Sequence, residues 1–212
     1  MNIFSGLALS YLLGSIPTAY LFGKIYKGID IRQHGSGNVG ATNAFRILGK
    51  IPGTIVLLLD VLKGLLAVTL VGDIFHPATE NILWRAILGV VVVCGHNWTV
   101  FLNFKGGKGM ATSLGVLIGL TIKFSQLLVV LLICLGVWSI IFLSSGYVSL
   151  ASLIAAIALP IVMFFTKQSF EMKILGVVFC VFVIIRHQAN IKRLLAGKES
   201  RVSFPFRRGN AH

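Results

Sequence analysis

Seven apolar stretches, at residues 3–22, 54–71, 82–103, 111–122, 125–143, 147–165 and 172–185, decide most of what this chain can become. Hydrocarbon offers no water to a peptide group, so an apolar run of this kind must satisfy its own backbone, which an α-helix does within one segment. The expected fold is therefore an all-α, polytopic integral membrane bundle of seven transmembrane helices. Five is the fallback, because 111–122 and 172–185 are short for a ~30 Å hydrocarbon layer. Composition agrees: 56% of residues are hydrophobic and only 12% charged, far from the soluble globular range.

Polar residues inside these stretches are then the informative ones. The first stretch lacks a positive leading region and a small-residue cleavage site, and reads as a retained span. It is interrupted at Ser15-Ile16-Pro17-Thr18, where the proline either kinks the helix or bends it toward a site. Asp60 and Lys63 lie one helical turn apart in the second stretch, as a structural ion pair or as neighbours of a site. His96, within Cys94-Gly95-His96-Asn97, is either a core histidine or part of that site. Cys94, Cys134 and Cys180 stand singly in apolar runs, without metal-ligand spacing.

The charge of +13 does not imply a nucleic-acid partner, since the basic residues sit in short connections and in the tail. With the N-terminus outside and seven spans, fourteen of the nineteen Lys and Arg fall on the inner side. Arg85, Lys123, Lys167 and Lys173 fall outside, and Lys63 lies within the membrane. The bias predicts an N-out, C-in chain with a cytoplasmic C-terminus. The same parity puts three polar segments on one face: Gly35-Ser36-Gly37-Asn38-Val39-Gly40-Ala41-Thr42-Asn43, the run Asn103 to Thr112, and Arg186 to Arg193. Ser149 falls there too.

Glycines that turn amides toward one point, with short hydroxyl and amide side chains, suit a phosphate-sized anion. Arg46, Lys105, Lys108, Arg186, Lys192 and Arg193 supply charge. Only six acidic residues occur and none cluster, which speaks against a carboxylate-held metal, and no metal or cofactor is expected. No G-x-S-x-G elbow occurs. The run around Lys108 is not a Walker A loop, because Gly109 rather than Ser or Thr follows the lysine. No histidine is followed by Asp at the spacing of conventional glycerolipid acyltransferases: Val39, Asn81, Phe101 and Lys192 follow His34, His76, His96 and His187 there.

Three runs taken together, Gly-Ser-Gly-Asn-x-Gly-Ala-Thr-Asn at 35–43, Gly-Gly-Lys-Gly-x-Ala-Thr at 106–112 and His-x-x-Asn-Ile-x-Arg-Leu-x-x-Gly-x-Glu at 187–199, resemble the signature motifs of the bacterial acyl-phosphate:glycerol-3-phosphate acyltransferases, the PlsY family. The resemblance covers nearly the whole chain. It implies a multi-pass enzyme of the bacterial inner membrane with its active site facing the cytoplasm. Such an enzyme moves a fatty acyl group from acyl phosphate to the 1-hydroxyl of glycerol 3-phosphate, giving lysophosphatidic acid and phosphate.

Carried onto this sequence, the resemblance implies that Ser36, Gly37, Asn38, Thr42 and Asn43 hold the donor phosphate, while Arg46 and Lys105 neutralise the crowded phosphates. Gly106, Gly107, Lys108 and Gly109 shape the acceptor end. His187 and Asn190 orient the acceptor or the developing oxyanion, and Ser149 contributes. The proton acceptor is a phosphate oxygen of the donor, with His187 as the rival. Membrane lipid surrounds the site, and no obligate protein partner is expected. Residues 1–199 would form one membrane-embedded domain and 200–212 a basic cytoplasmic tail. Two other functions fit parts of the pattern: a transporter of an organic phosphate and a scaffold whose basic loops bind anionic lipid.

Overall fold

The computed structural model describes residues 3–75 and 81–202. The residues at 204–208 expected to form a solvated tail, and His76, lie outside that range. All seven apolar stretches are helical, and no strand occurs among the described residues. α1 (Ile3–Ser15) and α2 (Thr18–Lys27) form one broken run, followed by the short α3 (Ala41–Ile47). α4 (Lys50–Leu66) passes through a π-turn at Ala67–Val71 into α5 (Gly72–Phe75), and α6 (Ile82–Asn97) ends in a 3-10 turn at Val100–Leu102. α7 (Met110–Lys123), α8 (Leu128–Ser145), α9 (Val148–Phe165), α10 (Phe170–Arg186) and α11 (Gln188–Leu195) complete the bundle.

Five runs are long and apolar enough to cross a membrane: Ile3–Lys27, Lys50–Phe75, Ile82–Leu102, Ser125–Ser145 and Val148–Phe165. α10 and α11, bent by 62° at His187, make a sixth if taken together. The stretch expected as the fourth span is α7, a helix of 14 residues and so only about 21 Å long. By length and composition, five helices, or six with the bent pair, qualify as spans among the described residues.

Val92, Val93, Val116, Leu120, Leu127, Val130, Met163 and Met172 are fully buried in the central core. Leu58, Leu132, Ile140, Phe164 and Phe165 are exposed on the perimeter, where a membrane protein meets lipid rather than water. α4 packs on α7, α1 on α6, α8 on α9 and α9 on α10. Small residues set the closest of these approaches. A Cβ on Gly64 would stand 2.1 Å from the Thr112 carbonyl oxygen, and one on Gly115 would stand 1.9 Å from that of Val61. The short α7 is therefore pressed backbone to backbone against α4, directly behind the second glycine loop.

At the Pro17 break, side chains answer the freed backbone groups. Thr99 Oγ1 donates to the Ser15 carbonyl at 2.6 Å and Lys63 Nζ to the Ile16 carbonyl at 3.2 Å. Lys63 pairs with Asp60 at 2.9 Å, and Thr18 Oγ1 donates to the same carboxylate at 2.7 Å. At the other end of α4, the guanidinium of Arg85 donates to the Val68 carbonyl inside the π-turn at 2.5 Å and to Asp73 at 2.6 Å. Lys123 Nζ reaches the second Asp73 oxygen at 2.7 Å, so Asp73 ties α5 to both α6 and α7.

Gly115→Val is expected to force α7 off α4 and to cost about 1–3 kcal/mol. It should read as a lower thermal midpoint of the detergent-purified protein. An unchanged midpoint would contradict the close-packed α4–α7 contact.

Candidate functional site

The three polar segments meet at one cleft of about 540 Å³, lined by Arg32, Ser36, Gly37, Asn38, Lys105, Gly106, Lys108, Arg186, Asn190 and Arg193 among others. Nothing in the apolar pattern required the first loop, the second loop and the α10–α11 corner to share a wall. Each gets there by a different local device.

Asn43 holds the first loop. Its amide donates to the carbonyls of His34 (3.0 Å) and Ile31 (3.3 Å), and its Oδ1 accepts the Ser36 N–H at 3.0 Å. The Gly37 N–H donates to the His34 carbonyl at 3.1 Å. Gly37 is left-handed (φ 68°), and a Cβ there would come within 2.9 Å of the Arg32 carbonyl oxygen, so glycine suits this turn. The buried Asn43 thus has its amide and its Oδ1 engaged within the loop, and the Ser36 and Gly37 N–H groups are used in closing the turn. The hydroxyl of Ser36 and the amide of Asn38 remain at the cleft wall.

The second loop is fixed from behind. The Gly106 and Gly107 N–H groups donate to the Asn97 and His96 carbonyls at 3.1 and 3.0 Å. In front, Arg186 forks onto the same loop, with Nε to the Gly107 carbonyl and Nη2 to that of Gly106, each at 2.9 Å. Gly106 and Gly107 are thus spacers whose amides are consumed by the fold. Gly109 is buried at the start of α7, which leaves Lys108 as the loop's inward-facing charge. Burial pushes the Lys108 ammonium down to about 8, with the Glu199 carboxylate opposing that and Arg193, Arg46 and Arg186 adding to it.

Glu199 organises the third segment. Its Oε1 accepts from Ser149 Oγ at 2.9 Å and from Asn190 Nδ2 at 2.7 Å, and its Oε2 accepts from Arg193 Nε at 2.7 Å. Burial works to raise this carboxyl, but the hydrogen bonds from Asn190, Arg193 and Ser149 outweigh it and hold the acid below its ordinary value. Asn190 Oδ1 in turn accepts from Lys108 Nζ. Ser149 therefore acts through Glu199, one step behind the cleft. His187 is buried at the 62° corner, and its Nδ1 lies 2.8 Å from the Val183 carbonyl. That contact requires the proton on Nδ1 and leaves Nε2 as an acceptor.

Of the residues expected at the site, Ser36, Gly37, Asn38, Lys105, Gly106, Lys108 and Asn190 line the cleft. Asn43, Gly107, Gly109, Ser149 and His187 form its buried backing. Thr42 is half-buried, and Arg46 is exposed on α3 outside the lining residues. Sequence reasoning missed Arg32 on the wall, the fork of Arg186 on the loop carbonyls, and Glu199 as the hub. A signal for Glu199 was present: it is the acid nearest in sequence to the basic run 186–193. Among the described residues no group of His, Cys, Asp and Glu could hold a metal ion.

Five cations line the cleft, two of them paired with carboxylates, Arg32 with Asp30 at 2.7 Å and Arg193 with Glu199 at 2.7 Å, and comparisons with known proteins give this cleft its context. The family model described as glycerol-3-phosphate acyltransferase matches residues 4–197. The glycerol-3-phosphate acyltransferase of Fusobacterium nucleatum is 41% identical, covering 96% of this chain and 100% of that protein. That of a Nostoc species is 44% identical, covering 91% of this chain and 88% of its own. The fold also superposes on PlsY (YgiH), described as an integral membrane glycerol 3-phosphate acyltransferase, in its glycerol 3-phosphate form. That match has a TM-score of 0.85 and 38% identity, over 95% of this chain and 96% of that one. Its lysophosphatidic acid form gives a TM-score of 0.82 at the same identity. This chain belongs to the glycerol-3-phosphate acyltransferase family.

Proposed function

We propose that this acyltransferase moves a fatty acyl group from acyl phosphate to the 1-hydroxyl of glycerol 3-phosphate, releasing phosphate and lysophosphatidic acid. The observation that carries this reading is the cleft itself. Arg32, Lys105, Lys108, Arg186 and Arg193 surround it, and with Asp30 on Arg32 and Glu199 on Arg193 the cleft keeps a net positive charge suited to phosphate. Long exposed apolar helix faces around it leave an acyl chain free to stay in lipid. The related proteins named for glycerol 3-phosphate, and the solved forms with that acceptor and with lysophosphatidic acid, support the same substrates here.

In this reading the chain crosses the bacterial plasma membrane seven times, with α7 and α10 as the short spans, the N-terminus outside and the cleft open to the cytoplasm. Ser36 and Asn38 hold the donor phosphate, with Thr42 beside them. Lys105 and Arg46, the latter swinging in from α3, neutralise it. Lys108 holds the acceptor phosphate beside Gly106, with Gly107 and Gly109 shaping the loop from behind. Asn190 and His187 Nε2 orient the acceptor hydroxyl.

The hydroxyl oxygen attacks the acyl carbonyl carbon, the bond to phosphate breaks with its electron pair, and the hydroxyl proton passes to a phosphate oxygen of the donor. An acyl phosphate is already activated, so placement and charge stabilisation suffice and no acyl-enzyme forms.

Arg46→Ala and Lys105→Ala should each lower kcat/KM by at least about a hundredfold with the fold intact, as loss of a charge-stabilising group does. Near-normal turnover in either would contradict the phosphate clamp. Because Lys108 loses its proton at about 8, kcat/KM for glycerol 3-phosphate should fall as pH rises through that value. Lys108→Arg should carry the alkaline limb upward, and an unmoved limb would remove Lys108 from acceptor binding. His187→Asn should slow the reaction without removing an ionisation from the pH–rate profile. Loss of the acidic limb would instead make His187 the base.

A further inference from the structure

Asp60, Lys63 and His96 have no part in the chemistry above, yet they form a buried charged cluster, all 7% exposed or less. Charges so placed are costly and need a reason beyond filling space. The carboxylate of Asp60 takes Lys63 Nζ at 2.9 Å, Thr18 Oγ1 at 2.7 Å and lies 3.6 Å from His96 Nδ1. Two of these contacts bridge the Pro17 break: Thr18 begins α2, and Lys63 also holds the Ile16 carbonyl. The cluster therefore fixes the direction in which α2 leaves the break, and α2 delivers the chain into the first glycine loop.

The opposite end of the cluster reaches the second loop. His96 accepts the Gly107 N–H through its own carbonyl, and a Cβ on Gly107 would stand 2.1 Å from His96 Nε2. The same Cβ would stand 2.8 Å from the carbonyl oxygen of Val39, so the two loops meet at Gly107, over the imidazole. A narrow space lined by Pro17, Val39, Lys63, His96, Thr99 and Gly107 lies between the break and both loops.

We infer that Asp60, Lys63 and His96 are positioning residues that set the spacing between the two glycine loops, and with it the alignment of the bound donor and acceptor. This rests on the acyltransfer reading. Each loop keeps its own internal bonds when the cluster is weakened, so each substrate still binds. What is lost is their mutual approach, and a displacement of about 1 Å can cost a hundredfold in rate.

The test uses Asp60→Asn, Lys63→Met and His96→Gln, with Thr18→Val as a mild variant that removes one hydrogen bond and keeps the volume. kcat per folded enzyme should fall ten- to a hundredfold in the first three and several-fold in Thr18→Val. KM for glycerol 3-phosphate should stay within about threefold of the parent. Unchanged kcat with a lowered thermal midpoint would make the cluster purely structural. Raised KM with unchanged kcat would make it a binding device for the acceptor alone. Either result overturns the inference.

Dipolar broadening between spin labels at the exposed Gln33 and Phe104, in a cysteine-free background, reads the spacing without turnover. Thr18→Val should change it, and an identical line shape would again overturn the inference. A parent enzyme that is inactive, while the label spacing responds to Thr18→Val, would instead count against the acyltransfer reading alone.

Discussion

At three places where this membrane chain departs from regular helix, a cation takes carbonyl oxygens that the departure frees. Lys63 serves the Pro17 break, Arg85 the π-turn after α4, and Arg186 the Gly106–Gly107 loop. In hydrocarbon an unpaired carbonyl is too costly to leave, and a buried ammonium or guanidinium without a partner is costlier still. Each defect thus answers the other. Irregular backbone gains a partner, and positive charge gains a place at membrane depth without a full set of carboxylates.

That exchange also explains how so basic a cleft stays intact. Arg186 is neutralised in part by loop dipoles and Arg193 by Glu199, while Lys108 shares Asn190 with the same acid. Glu199 works as a hub of α9 and α11, with both of its oxygens engaged, and Asp30 is likewise paired with Arg32. The chain continues past this hub onto the α8–α9 turn, where the Val202 N–H donates to the Gly146 carbonyl at 2.9 Å and Arg201 Nε to that of Ser145 at 2.8 Å. The last motif is therefore tied down beyond Glu199 as well, through the exposed Arg201 and Val202.

The apolar stretches read out as helices because their chemistry is collective: a dozen or more apolar residues in a row leave few alternatives. The loops were legible as a site for a similar reason, since glycine, short polar residues and lysine recur together. What sequence could not display was which hydrogen-bonding groups are already used. Asn43 and the amides of Ser36, Gly37, Gly106 and Gly107 look like free hydrogen-bonding groups in a list of residues, and in three dimensions each has a partner within the fold. His96 and Asp60 were ambiguous for the converse reason: their importance lies in contacts with Thr18, Lys63 and Gly107, up to 42 positions away in the chain. The length of α7 marks another limit, because a helix can be apolar throughout and still be too short to fix a span count on its own.

The central claim is that a cleft of cations and loop backbone transfers an acyl group from an activated phosphate without a protein nucleophile. The most direct measurement gives the detergent-purified protein glycerol 3-phosphate with either palmitoyl phosphate or palmitoyl-CoA, and follows phosphate and lysophosphatidic acid together. The account predicts both products in equal amounts from palmitoyl phosphate, dependent on the acceptor, and none from palmitoyl-CoA. Turnover of palmitoyl-CoA, or none with palmitoyl phosphate by folded protein, would contradict it.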